Sequence, residues 1–312
     1  MAVAVLFIDG VGVGRKDAGH NPLARGEYLL SRFSDASAAE LPHGGVATEV
    51  DPTFGVPGRP QSASNQAALL TGEPAPARIG RHVLGFPDAP LRALIAERSI
   101  VKRLTREGRR ATLANAYPAG YLDALGLPRR ASFREDVHVT PAWKRRIKPS
   151  AVTLAMAAAD VPLRTFDDAR GGSGLTHDLD GRTARARGVD VPERSPAEAA
   201  GIFLELAAAH DFTWFEHHLA DEAGHAQDAA RASDALDTFD RFTRAVAAGR
   251  PIGLHVLVCS DHGNVEDLST RNHTVNPVPV LYFGPAGAGA LSGLRDLADV
   301  GRRALELCGV TP

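Results

Sequence analysis

Five short segments carry the residue types that could do chemistry. Asp9 ends an apolar run in Phe-Ile-Asp-Gly-Val-Gly. Asp221 and His225 stand four apart in Leu-Ala-Asp-Glu-Ala-Gly-His. Asp261 and His262 sit together in Ser-Asp-His-Gly-Asn, and His273 follows in Asn-His-Thr-Val-Asn-Pro-Val-Pro. The fifth segment, Gln61-Ser-Ala-Ser-Asn-Gln-Ala-Ala-Leu-Leu-Thr-Gly72, reads as a loop entering a helix, with Ser62 or Ser64 at the helix N-terminus. Free backbone N–H groups and the helix dipole stabilise an anion there, either a serine alkoxide or a phosphate. Carboxylates brought to one place repel one another unless a cation sits among them. Asp combined with neutral imidazole suits Zn, Mn or related divalent ions.

Elements must exist to bring these segments together. Ala2–Ile8, Phe212–His217 and Leu254–Cys259 read as near-continuous apolar strands, with Arg110–Ala116 and Val278–Phe283 as two more. Between them lie helical stretches at Asn21–Phe33, Ser64–Leu70, Pro90–Gly108, Pro196–His210 (Ser195 as N-cap), Ala226–Ala248 and Leu291–Leu307. Strands apolar on both faces, alternating with helices, predict an α/β fold with a mostly parallel central sheet covered on both sides. Such sheets gather ligands at the carboxyl ends of their strands. Asp9, Asp221 and Asp261 each follow a predicted strand, so three strands deliver an acid to one sheet edge. Residues 118–195 break the rhythm with Pro and Gly punctuation and weak periodicity. They are expected to form a small cap insert beside a core of residues 1–117 and 196–312.

The bulk numbers are those of an ordinary globular chain. The chain has 312 residues, with 35 Lys+Arg against 37 Asp+Glu and a formal net charge of −2. That balance argues against nucleic acid or a membrane surface as partner. Only two Cys occur, which fits a reducing compartment. No apolar run approaches the ~20 residues of a membrane span, so a cytoplasmic location is the expectation. Seven of the 12 His (His210, His217, His218, His225, His255, His262 and His273) fall between residues 210 and 273. Gly10-Val-Gly-Val-Gly14 follows a strand but lacks the Gly-x-Gly-x-x-Gly spacing of dinucleotide binders.

Together the set Asp9, Ser62, Asp221-x-x-x-His225, Asp261-His262-Gly263 and His273 resembles the alkaline phosphatase superfamily. It is nearest in style to the cofactor-independent phosphoglycerate mutase and phosphopentomutase branch. Ser-Asp-His-Gly-Asn-Val-Glu-Asp followed by His-Thr-x-Asn-Pro-Val-Pro carries most of the match, and Ser62 to Gly72 has the spacing of the superfamily's nucleophile helix. The resemblance implies a three-layer α/β sandwich and two divalent metal ions, Mn or Zn. It implies Asp221, His225 and His273 around one ion, with Asp9, Asp261, His262 and the Ser62 oxygen around the other. Ser62 would be the nucleophile, with Ser64 as its rival, and Asn65 would bind non-bridging phosphoryl oxygens. The substrate would be a small phosphorylated metabolite. The sequence departs from the mutases in its short insert and in Gln61-Ser62-Ala63-Ser64-Asn65, so a phosphomonoesterase or phosphodiesterase is expected ahead of a phosphomutase. Gln66 stands where a sulfatase pattern wants Arg, and the full ligand set argues against a non-catalytic homologue. Glu266 and Asp267 read as loop acids, and at most one of His217 and His218 can face the metals.

Overall fold

The computed structural model describes residues 2–36, 40–133 and 140–311, without the Trp143 side chain. Eight strands occur in it: β1 Ala2–Ile8, β2 Val46–Val50, β3 Ala111–Leu113, β4 Ala116–Tyr117, β5 Arg164–Thr165, β6 Phe212–His217, β7 Leu254–Cys259 and β8 Val278–Phe283. Six form one sheet in the order β2-β8-β7-β1-β6-β3, and β4 pairs with β5 in a small second sheet. β7, β1, β6 and β3 run parallel, whereas β8 is antiparallel to both of its neighbours. The sheet is therefore mostly parallel, as expected.

β1 shows why these strands are apolar throughout. Val3, Val5 and Phe7 enter one core, and Ala4, Leu6 and Ile8 enter the other. The first core packs under helices Ser62–Thr71, Ala89–Arg98, Ile100–Arg106 and Leu297–Leu307. The second packs under Pro196–Ala209, Leu219–Ala226 and Ala229–Gly249. This is the three-layer arrangement, with both sheet faces buried.

Several local expectations are corrected. Asn21–Phe33 holds only one short turn, Pro22–Arg25, because Gly26 leaves helical geometry immediately after it. Pro90–Gly108 is two helices, broken where Ser99 turns extended (ψ 133°) and caps the second by accepting from Lys102 N–H. Arg110–Ala116 splits into β3 and β4. The helix read at Ala226–Ala248 is preceded by a separate one, Leu219–Ala226, ended by Gln227 in the left-handed region. In Leu291–Leu307 the α-helix begins only at Leu297, after a separate 3-10 turn that ends at Leu291.

Residues 118–195 are not one cap. Helix Ala151–Ala157 and the side chains Leu122, Val161 and Leu163 join the first core, against the Ser62–Thr71 helix. Ala151 and Ala155 are small enough to let those helices approach closely. Between β5 and about residue 191, Leu175 and Leu179 join the second core, while Phe166, Ala169, Ala184, Val189 and Val191 make a small separate cluster with Ala116. Buried Arg164 pins it to the sheet by donating to Ser173 O, Leu113 O and the Thr112 hydroxyl.

Candidate active site

β6, β1 and β7 are the three adjacent central strands, and each delivers one acid at its carboxyl end. Asp9 follows β1 directly. Asp261 lies two residues beyond β7, and Asp221 lies in the first turn of the helix after β6. Gly10 has φ +74°, and a Cβ there would lie 2.6 Å from Asp221 Oδ1, so only glycine lets the β1 and β6 loops meet this closely.

The acids and imidazoles form two overlapping groups. Ligand atoms of Asp9, Asp261 and His262 lie within 4.8 Å of one another, as do those of Asp221, His262 and His273. His262 Nε2 is 3.4 Å from Asp9 Oδ1 and 3.5 Å from Asp261 Oδ2. His225 Nε2 lies 3.2 Å from Asp221 Oδ2 and 3.2 Å from His273 Nε2. His262 therefore belongs to both groups rather than to one. All seven metal-ligand candidates, including Ser62, converge on this edge.

Hydrogen bonding distinguishes the two serines. Ser62 is the first residue of its helix, and its Oγ is 2.9 Å from His262 Nε2. Ser64 is fully buried, with its hydroxyl donating to Gln61 O and accepting from Val83 N–H. Gln61, the N-cap, makes no side-chain cap, which leaves the first-turn N–H groups beside Ser62 unclaimed by any cap. The expected role of Asn65 is corrected. Its amide donates to Pro52 O and Asp261 O, and the residue has no exposed surface. Asn65 therefore holds the Asp261 loop against the helix and has no donor left for a phosphoryl oxygen.

The electrostatics show what the site needs. Burial, with Asp261 and Asp221 beside it, pushes the Asp9 carboxyl up to about 8. Burial, with Asp221, pushes Asp261 up to about 7. Asp221 is only partly buried and is held below the ordinary carboxylate range by His225, His262 and His273. Its hydrogen bond to Asp221 raises His225 to about 9, whereas burial and His262 take His273 down to about 4. Asp9 Oδ1 is buried and accepts no hydrogen bond among the described residues. His225 and His273 each give Nδ1–H to a backbone carbonyl, of Arg271 and Pro60, which turns both Nε2 atoms inward. An imidazole fixed in that way presents a lone pair to a metal. Orphaned carboxylate oxygen, inward lone pairs and three acids fit divalent cations.

Residues that the motifs did not single out hold this arrangement. Gln66 Nε2 donates to Asp261 Oδ2 at 3.0 Å, and Asn264 Nδ2 to Asp221 Oδ1 at 2.7 Å. His218 lies 3.3 Å from Asp9 Oδ2 and 3.4 Å from buried Glu216, whose charges keep it protonated well above the usual range despite its burial. His217 faces away and meets His177 O. Glu266 is not a solvated loop acid: it is buried, and Oε2 accepts from Gly12 N–H (3.0 Å) and Asn264 N–H (2.7 Å). Its Oε1 accepts from Asn276 (3.0 Å) and the Thr274 hydroxyl. Its only sequence signal is its place two residues after Asn264.

Comparison with known proteins agrees with this geometry. The Metalloenzyme superfamily model matches residues 189–312. A 2,3-bisphosphoglycerate-independent phosphoglycerate mutase of Haloarcula marismortui is 34% identical over 130 residues, covering 38% of this chain and 25% of the mutase. One from Agrobacterium fabrum is 36% identical over 129 residues, with the same coverage of 38% and 25%. The chain thus spans about a quarter of the length of the curated relatives it matches. The alkaline phosphatase from the Antarctic bacterium TAB5 superposes over 100% of this chain and 98% of its own at a TM-score of 0.53, with 14% identity. The part of the chain that carries Asp221, His225, Asp261, His262 and His273 thus matches the Metalloenzyme superfamily in sequence, and the whole chain shares the alkaline phosphatase fold, as the resemblance of its motifs implied.

Proposed function

We propose that the chain is a two-metal phosphoryl-transfer enzyme with Ser62 as nucleophile, and that it hydrolyses phosphate esters. The observation that carries this is the Ser62 hydroxyl, at a helix N-terminus and 2.9 Å from His262 Nε2, where the two acid–imidazole groups overlap. Asp221, His225 and His273 would hold one divalent ion, and Asp9, Asp261, His262 and Ser62 the other. Such a pair supplies a lowered pKa for the serine hydroxyl and charge neutralisation for the transferring phosphoryl group. Ser62 Oγ forms a bond to phosphorus as the ester oxygen departs with a proton, leaving phosphoserine and the free alcohol. Water then takes the phosphoryl group and restores Ser62. The first-turn N–H groups of Ala63 and Ser64 meet the non-bridging oxygens. Asn65 and Gln66 fix Asp261, and Asn264 fixes Asp221, so the ligand oxygens are set before substrate arrives.

A phosphomutase is the second reading, favoured by the names of the relatives. Hydrolysis is preferred because, among the described residues, only the small cluster of Phe166, Ala169, Ala184, Val189 and Val191 with Ala116 lies outside the two main cores as a candidate enclosure for a dephosphorylated intermediate. The test is to incubate Mn²⁺-loaded protein with 3-phosphoglycerate and a panel of phosphate esters. Free phosphate appearing in step with free alcohol supports hydrolysis. Isomerised product without phosphate release would overturn it in favour of the mutase.

A further inference from the structure

A cavity of about 800 Å³ opens between β4, the helix after it and the stretch from β5 to residue 191. Its lining includes Tyr117, Tyr121, Phe166, His177, Arg187 and His218. His218 is also the residue 3.3 Å from Asp9 Oδ2, so the cavity and the acid cluster share a side chain. From Asp9 the path to the nucleophile is two contacts, His262 and then Ser62.

The lining has a definite chemistry. Tyr117 and Tyr121 stack at 6.0 Å between ring centroids and 15° between planes, which makes a flat aromatic wall. Burial pushes both phenols up, so both stay neutral. The Tyr117 hydroxyl has no hydrogen-bond partner among the described residues, while Tyr121 donates to Lys148 O. Phe166 adds apolar surface. The His177 ring, 6.4 Å from that of His218, is kept neutral by burial. The Arg187 guanidinium lines the cavity with no ion pair or hydrogen bond to any described residue. Flat aromatic walls favour stacking of a planar ring, and an unpaired guanidinium favours a ring that carries acceptor atoms. Ligand pockets of roughly 300–1,000 Å³ bury most of a drug-sized molecule. A three-carbon ester would leave most of this wall without contact.

Resting on the phosphoryl-transfer reading, we propose that this cavity receives the leaving group of the substrate, and that the leaving group is a planar aromatic alcohol of the nucleoside or benzylic type. The test compares adenosine 5′-monophosphate, benzyl phosphate and glycerol 1-phosphate, whose alcohols leave with similar intrinsic ease. Mn²⁺-loaded protein should show kcat/KM at least ten-fold higher for one or both aromatic esters than for glycerol 1-phosphate. The adenosine and benzyl arms separate a nucleobase from a simple ring. In Tyr117→Ala that ratio should fall to near one through KM, and in Tyr117→Phe it should persist. Independently of turnover, adenosine and benzyl alcohol are titrated into metal-free protein by calorimetry. At least one should bind, with Kd raised five-fold or more in Tyr117→Ala. Turnover without aromatic preference, or a preference indifferent to Tyr117→Ala, overturns the proposal. If no ester is hydrolysed, the phosphoryl-transfer reading falls, and the alcohol titration alone decides the pocket: no binding overturns it.

Discussion

Removing Glu266 should loosen the whole site, although this side chain touches none of the proposed ligands. Its two oxygens accept from four donors on two loops: Gly12 after β1, and Asn264, Thr274 and Asn276 at the two ends of the long β7–β8 connection. Those loops carry Asp9, Asp261 and His273. The packing is tight enough that a Cβ on Gly12 would fall 2.3 Å from Glu266 Oε1, and one on Gly263 2.1 Å from it. Glu266→Ala strands all four donors, at about 1 kcal/mol each, so a loss of roughly 4 kcal/mol is expected. Glu266→Gln keeps an oxygen for the two backbone N–H groups and places an amide against Asn276, for a loss of roughly 1–2 kcal/mol. Urea midpoints of the metal-free proteins read the stability, and Mn²⁺ titration reads the site. Both variants should also bind Mn²⁺ more weakly, Ala more than Gln. The reasoning fails if Glu266→Ala costs less than 1 kcal/mol, if the two variants are equal, or if stability falls while Mn²⁺ affinity is untouched.

Other outcomes follow from the same geometry. Ser62→Ala should abolish turnover on any accepted ester while leaving metal uptake mostly intact, and Ser64→Ala should retain turnover with a modest drop in stability; the reverse pattern would move the nucleophile. Asp261→Asn and His225→Ala should each lower the metal bound per chain in elemental analysis, with the fully buried Asp261 costing more than half-exposed His225. Metal affinity should fall as pH is lowered from about 8.5 to 6. Asp9 and Asp261, raised to about 8 and about 7, and His225, raised to about 9, each hold a proton below those values that a cation must displace. Calorimetry in buffers of different ionisation heat should detect proton release near neutral pH, and a pH-independent affinity without release would contradict this.

The three acids were readable because the strands before them are apolar on both faces, and a carboxylate just beyond such a run has little structural reason to be there. β2 escaped notice because an edge strand, with only Val50 buried, shows neither continuous nor alternating hydrophobicity. The offset to Leu69-Leu70-Thr71-Gly72 favours Ser62 over Ser64, but helix position alone does not separate them, because two residues along a helix point to opposite sides and the partner surfaces differ. Asn65 was misread for a related reason: its type suits an anion, but its partners are two backbone carbonyls, one of them 196 residues away. Glu266 looked solvated since its donors come from Gly12 and the residues around 274, a pairing no local pattern records. The helix Ala151–Ala157 was placed in a cap because its periodicity is weak, as expected of a short helix buried on most of its surface.

The contact between Ser62 and His262 joins residues 200 apart in the chain. At a synthesis rate of 5–20 residues per second, roughly 10–40 s separate the emergence of the two. During that interval the Ser62 helix and the β1 acid exist without the strand that places Asp261 between them. No cation can be captured in the final geometry until residue 273 has left the ribosome. Metal therefore cannot guide the early folding of this chain; it can only lock a sheet whose middle strand, first to be made, has waited for its last neighbours.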